Sequence, residues 1–131
     1  MNGLSRRGFT LIELMVVVVI LAVLTAVATP QFDFTRKRGY RVALKSDLRN
    51  LLAEQEMYRI SSFVYAPSLY AMEFISSEGS EITITEATGA GWAATGVHAG
   101  LPGIKCGIFY GEATATNADP ATRPGIVNCT E

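Results

Sequence analysis

Three patterns of hydrophobic and polar positions follow one another along the chain. From Phe9 the sequence is apolar on every side, and Leu14 to Phe32 is a run of 19 uncharged residues dominated by Val, Leu, Ile and Ala. At about 1.5 Å per residue such a run spans close to 30 Å as a helix, the thickness of a bilayer's hydrocarbon core, so it can cross a membrane once. Past Pro30 the apolar residues thin to a stripe of Tyr40, Leu44, Leu48, Leu51 and Leu52, with Met57 or Tyr58 beyond, in steps mainly of three and four. That is the spacing of an amphipathic helix. Beyond Ser80 the period drops to two: Glu81-Ile82-Thr83-Ile84-Thr85 alternates as a strand, Ala87-Thr88-Gly89-Ala90-Gly91 reads as a turn, and Trp92 to His98 and Ile104 to Tyr110 read as further strands.

These elements predict an α+β fold in which an antiparallel sheet of three or four strands lies on the amphipathic half of one long helix. A continuous helix from Phe9 to Ile60 has 52 residues and a length of about 78 Å, longer than a chain of this size is wide as a globule, so its apolar half must protrude. Pro30 removes a backbone hydrogen bond and Gly39 lowers helix propensity, which makes these two positions the expected sites of bending. Ser61 to Ser80 contains Pro67 and reads as a long connection with one helical turn at most, its aromatics Phe63, Tyr65, Tyr70 and Phe74 covering the edge of the core. Thr114 to Gly125, polar and with two prolines, is expected to contribute little core.

Composition sharpens this picture through its unevenness. The chain has 131 residues, 49% hydrophobic and 18% charged, with a formal net charge of −1. One membrane-grade segment and one small domain account for that balance, which argues against a cytosolic enzyme, a basic nucleic-acid-binding domain or a multi-span transporter. Between Gln31 and Ile60 there are seven basic residues against four acidic ones, whereas after Ile60 only Lys105 and Arg123 face seven acids. A positive collar just past an apolar segment suits a protein standing on an anionic membrane surface; a plain solvated helix face reads equally well. For catalysis there is one histidine, no phosphate-binding glycine loop and no nucleophile motif, so no enzyme activity and no cofactor are expected.

The opening eight residues, Met1 to Gly8, carry two positive charges at Arg6 and Arg7 and read as a leader. Within the following apolar run the only charge up to Phe32 is Glu13. A carboxylate in such a segment costs about 2.5 to 3.5 kcal/mol on insertion scales, so a partner is called for. No basic residue of the run supplies one, and Arg7 is lost if the leader is removed. The partner is then a group outside this chain or a newly made α-amino group, unless Glu13 stays hydrated near the headgroups.

Gly8-Phe9-Thr10-Leu11-Ile12-Glu13-Leu14, after a short basic leader and before a long apolar stretch ending at Pro30, resembles the N-terminus of type IV prepilins and pseudopilins. Pro30-Gln31-Phe32 and Ser46-Asp47-Leu48-Arg49-Asn50-Leu51 are similar to the helix of many bacterial pilins, so the match covers residues 1 to about 52. The resemblance implies removal of a leader, 1–8, by a prepilin peptidase cutting between Gly8 and Phe9, with N-methylation of Phe9. It implies a transmembrane and filament-core helix over 9–32, and a head over 33–131, outside the cytoplasm, that includes the second half of the helix. In the assembled filament the positive N-terminus of Phe9 in one subunit would pair with Glu13 of its neighbour, selecting the register in which both charges are neutralised. Pro30 falls where the family has its kinking proline.

Two features pull the other way. Ala26-Val27-Ala28 has the small-x-small form of a secretory cleavage site, although a charged Glu13 and a long apolar run do not suit a signal peptide. A count of flanking positive charges, two before the segment against Arg36, Lys37, Arg38 and Arg41 after it, would put the head in the cytoplasm, opposite to what the resemblance implies.

Given an oxidising compartment, Cys106 and Cys129 are read as a disulfide, similar to the C-terminal disulfide loop of type IV pilins. Closing that loop would stabilise the head by about 3 to 4 kcal/mol in the chain-entropy picture. A metal site would instead need His98 as a third ligand and a fourth that the sequence does not identify. His98 otherwise reads as a strand residue with a local hydrogen bond.

The resulting expectation is a structural subunit of a type IV pilus, held in inner-membrane lipid before assembly by the pilus machinery into a homo-oligomeric surface filament. The alternatives are a pseudopilin of a type II secretion system and a singly anchored or secreted binding module that does not polymerise. No nucleic-acid site is assigned.

Overall fold

The structure, a computed structural model, describes residues 8–130; the leader expected over residues 1–8 therefore lies, Gly8 apart, outside the described residues. Its first element is helix α1, Leu11–Ser62, whose 52 residues equal the expected number with both ends two residues later. The helix runs without interruption through Pro30 and Gly39. The chain divides into two units, one ending at Arg36 and one beginning at Lys37.

In the first unit the helix has no buried residue: every position from Gly8 to Arg36 is exposed. In the second unit one face of α1, Leu44, Asp47, Leu48, Leu51 and Gln55, is buried. Four strands follow, β1 (Ser80–Ala87), β2 (Gly91–His98), β3 (Lys105–Gly111) and β4 (Asn128–Cys129), in the antiparallel order β1-β2-β3-β4. Single 3₁₀ turns at Tyr70–Met72 and Ala115–Ala118 interrupt the connections before β1 and after β3. The predicted turn at Ala87 to Gly91 is shorter in fact, because Ala87 closes β1 and Gly91 opens β2.

The core follows from strand alternation. Ile82, Trp92, Ala94, Cys106 and Ile108 meet Leu44, Leu48 and Leu51 of α1 in one cluster with Tyr65. Close approach needs small residues in β2: a Cβ at Gly96 would stand 2.9 Å from Leu44 Cδ1. The opposite face is also covered, which corrects the expectation for Thr114 to Gly125. Ala93 and Phe109 are buried there by Ala113, Ala118 and Ala121, and the carbonyl of Ala118 occupies the place a side chain at Gly107 would need. A layer made of alanine methyls carries little hydrophobic signal in a polar stretch, yet it closes β2 and β3 on both sides.

The outer layer is held by an irregularity in β1. The register of β1 on β2 shifts between Ile84 and Glu86, a bulge that re-aims Thr85 and Glu86. Thr85 Oγ1 donates to the Asn117 carbonyl at 2.6 Å, and Glu86 Oε2 accepts from Thr114 N at 3.0 Å and Asn117 Nδ2 at 2.9 Å. These bonds, the Thr114 amide first, hold the Glu86 carboxyl below the usual carboxylate range.

Candidate functional site

The sequence places its most specific chemistry at the head of α1. Gly8, Phe9 and Thr10 precede the helix without regular structure, and Phe9 is 82% exposed. Thr10 is the N-cap and Glu13 the third residue of the first turn. Glu13 N donates to Thr10 Oγ1 at 3.3 Å, while Thr10 N and Thr10 Oγ1 donate to Glu13 Oε2 at 2.9 and 2.8 Å. This reciprocal capping box satisfies backbone donors that the helix start leaves open. The cap gives Glu13 hydrogen-bond donors within its own chain, but both belong to the neutral Thr10, so it supplies no counter-charge. Thr10-x-x-Glu13 before an apolar run is a readable signature, so the signal was present.

Behind this cap the helix offers hydrophobic surface in every direction. From Leu11 to Val27 the large apolar side chains are 46 to 76% exposed. A surface of that extent is stable only when lipid or other apolar helices cover it. The few polar groups in the segment are satisfied within it: Thr25 Oγ1 donates to the Leu21 and Ala22 carbonyls and Thr29 Oγ1 to the Thr25 carbonyl.

In the second unit Cys106 and Cys129 form a disulfide that joins β3 to β4, across directly paired positions. With both sulfurs bonded, neither can serve as a thiolate ligand, which removes the metal alternative. His98 is a strand residue with a local bond, as expected: its Nδ1 accepts from Gly100 N at 2.9 Å, and its ring stacks on Tyr40 at 4.4 Å between centroids.

The connection after α1 is held by two polar residues of the buried helix face that the hydrophobic stripe did not reveal. Gln55 clasps the backbone of Ala66, donating Nε2 to the carbonyl at 3.0 Å and accepting from the amide at 2.8 Å. Asp47 accepts from Ser77 N at 3.0 Å and Ser77 Oγ at 2.8 Å. Both lie three or four residues from a buried leucine, at core positions of the helical period, and that spacing is the signal for them. Tyr65 is buried as expected, donating to Glu56 Oε1 at 2.9 Å with the Arg59 guanidinium over its ring. Burial first and the Glu56 hydrogen bond second push its phenol above the ordinary value. Phe74 packs on the core edge, whereas Phe63 and Tyr70, expected to do the same, are 84 and 92% exposed. Phe63 ends the helix with φ 60°, its amide donating to Arg59 O, which turns the ring outward.

Comparison with known proteins matches residues 4–29 to the family described as the prokaryotic N-terminal methylation motif. The chain is 36% identical over 73 residues to the type II secretion system core protein G of Pseudomonas aeruginosa, a match covering 56% of this chain and 51% of that protein. It is 33% identical over 81 residues to the type IV wide pilus major component of Thermus thermophilus, covering 62% of each. It is 30% identical over 103 residues to the type IV major pilin of Myxococcus xanthus, covering 79% of this chain and 47% of that protein. In these matches the chain spans about half to three fifths of each relative's length.

Proposed function

We propose, from the premise that this chain is a pilin-like protein of the class that comprises type IV pilins and type II secretion pseudopilins, that it is the structural subunit of a type IV pilus. The observation that carries the reading is the helix of the first unit: apolar on all sides, exposed from Leu11 to Val27, and headed by the capped carboxylate of Glu13. Such a helix is soluble in a bilayer and, once extracted, only among copies of itself. In this reading a prepilin peptidase cuts between Gly8 and Phe9 and methylates Phe9. The head stands outside the cytoplasm, and machinery in the inner membrane stacks the helices into a filament that carries the heads on its surface. The role is mechanical, without catalysis.

The relatives named as core protein G favour a second reading, a pseudopilin of a type II secretion system. The Cys106–Cys129 disulfide closing the C-terminal loop supports the pilus reading against it. The deciding experiment is mass spectrometry of the mature N-terminus in membrane and sheared-surface fractions. N-methylated Phe9 in sheared filaments is expected. The same terminus confined to the envelope would favour the pseudopilin, and a chain beginning at Thr29 would remove the assembly helix and refute both.

A further inference from the structure

On the helix of the second unit, Arg38, Arg41, Lys45 and Arg49 follow one another in steps of three, four and four, which puts four cations on one face. Among the described residues none of the four side chains has a hydrogen bond or ion pair. Like charges at this spacing disfavour the isolated helix, so the stripe calls for anions that its own fold does not provide.

A second face of the same helix carries the complement. Asn50, Ala53, Glu54 and Met57 line a trough whose other wall is the connection from Tyr70 to Ile75. Its two adjoining depressions, about 520 and 480 Å³, share Glu54, Met72 and Glu73. Neither the Glu54 nor the Glu73 carboxylate has a hydrogen bond or ion pair among the described residues. The trough is open, with Tyr70 and Ile75 among the most exposed side chains of the unit. Exposed carboxylates beside Tyr70, Met72 and Ile75 suit Lys and Arg, whose stems pack on hydrophobic surface while their heads seek charge.

One chain cannot bring its own stripe and trough together. At about 100° per residue the buried face, the cation stripe and the trough lie about 120° apart around the helix. Arg41 and Glu54 are 13 residues apart, about 20 Å along the axis. A parallel second copy displaced by that distance brings them level. We propose that the Arg38–Arg49 stripe of one subunit docks into the Glu54–Glu73 trough of a second copy of this chain. Because the two surfaces differ, the contact is head-to-tail and repeats from copy to copy. The proposal rests on the filament reading and deepens it by naming the contact between heads. An anionic membrane would satisfy the stripe but leave both carboxylates unpaired, which is why a second copy is the better occupant.

The test uses the full-length chain in a host where the wild type makes filaments. The expected result is about a tenfold fall in sheared filament yield for R41E/K45E and for E54K/E73K, with the quadruple variant back within about twofold of wild type. Protease resistance and an intact disulfide in each variant establish folding; if a reversal unfolds the head, the milder R41Q/K45Q and E54Q/E73Q pairs serve, with lower yield and without the fall in yield at rising salt expected of the wild type. Wild-type yield from E54K/E73K, or no rescue in a folded quadruple variant, overturns the pairing while filaments persist. Loss confined to R41E/K45E, together with weaker binding to phosphatidylglycerol vesicles, also overturns it and assigns the stripe to lipid. A wild type that forms no filament at all removes the filament reading itself, and is seen before any variant is made.

Discussion

Replacing Gln55 tests whether the connection after the helix is held by the clasp on Ala66. Gln55 and Ala66 are both fully buried, and the amide makes two bonds to one peptide backbone, at 2.8 and 3.0 Å. In Gln55→Ala the amide and carbonyl of Ala66 both lose their partners. A buried unsatisfied group costs about 1 to 3 kcal/mol, so the two together, with a small cavity, destabilise the head by about 3 to 5 kcal/mol. Gln55→Glu is nearly isosteric and separates packing from hydrogen bonding. It keeps the bond from the Ala66 amide but sets a second acceptor against the Ala66 carbonyl and buries a charge, so at neutral pH the loss is at least as large. Protonation restores a donor. The folded state then binds the proton more tightly than the unfolded chain, whose glutamate titrates near 4.3, so the variant regains stability as pH is lowered toward that value. Urea unfolding followed by the fluorescence of Trp92, the single tryptophan and fully buried, reads both effects. Exchange of the Ala66 amide hydrogen reports locally. A loss below about 0.5 kcal/mol for Gln55→Ala, the range of an ordinary surface change, would refute the reasoning. So would a Gln55→Glu variant whose penalty ignores pH.

Three further outcomes are expected. Glu13→Ala leaves membrane insertion intact but lowers filament yield, and a normal yield in sheared fractions would count against its role in assembly. Replacing Cys106 and Cys129 by serine costs the head about 3 to 4 kcal/mol for a loop of this length, read as a lower urea midpoint; an unchanged midpoint would show that β4 is held without the bond. The carboxyl of Glu86 is lowered by its bonds to Thr114 and Asn117, so its contribution is complete above the unfolded value near 4.3 and is lost as pH falls through the lower folded value. The protection factor of the Thr114 amide falls over that range in the wild type and is low at every pH in Glu86→Ala.

What could be read from the sequence was what rests on local period. The apolar run, the leucine stripe and the alternation of β1 each reflect one element meeting one environment, and the structure has them within two residues of the expected bounds for the helix. The cysteine pair was legible because two cysteines allow one pairing. The parts that escaped depend on contacts between distant segments. Asp47 and Gln55 lie outside the hydrophobic stripe, and what a polar residue does at a core position is set by Ser77 and Ala66 beside it. The alanine layer was hidden because Ala113, Ala118 and Ala121 bury little surface singly and matter through β2 and β3, which they cover. Phe63 and Tyr70 misled in the opposite sense: aromatic residues in a connection read as core, whereas helix termination turns one of them to solvent. At the head of the helix the Thr10-x-x-Glu13 capping box is legible in the sequence alone, because it depends only on residues three apart.

That cap changes what a subunit is before it joins anything. A carboxylate with no partner in an apolar segment would make every lone copy a high-energy species, driven to pair with whatever lay near. With Thr10 already bonded to Glu13, the lone copy starts capped, and in the proposed filament joining a neighbour would exchange one set of bonds for another. Exchanges run in both directions. Under the proposed filament reading, a chain built this way waits in the bilayer with its helix capped and regains the same cap on leaving an array.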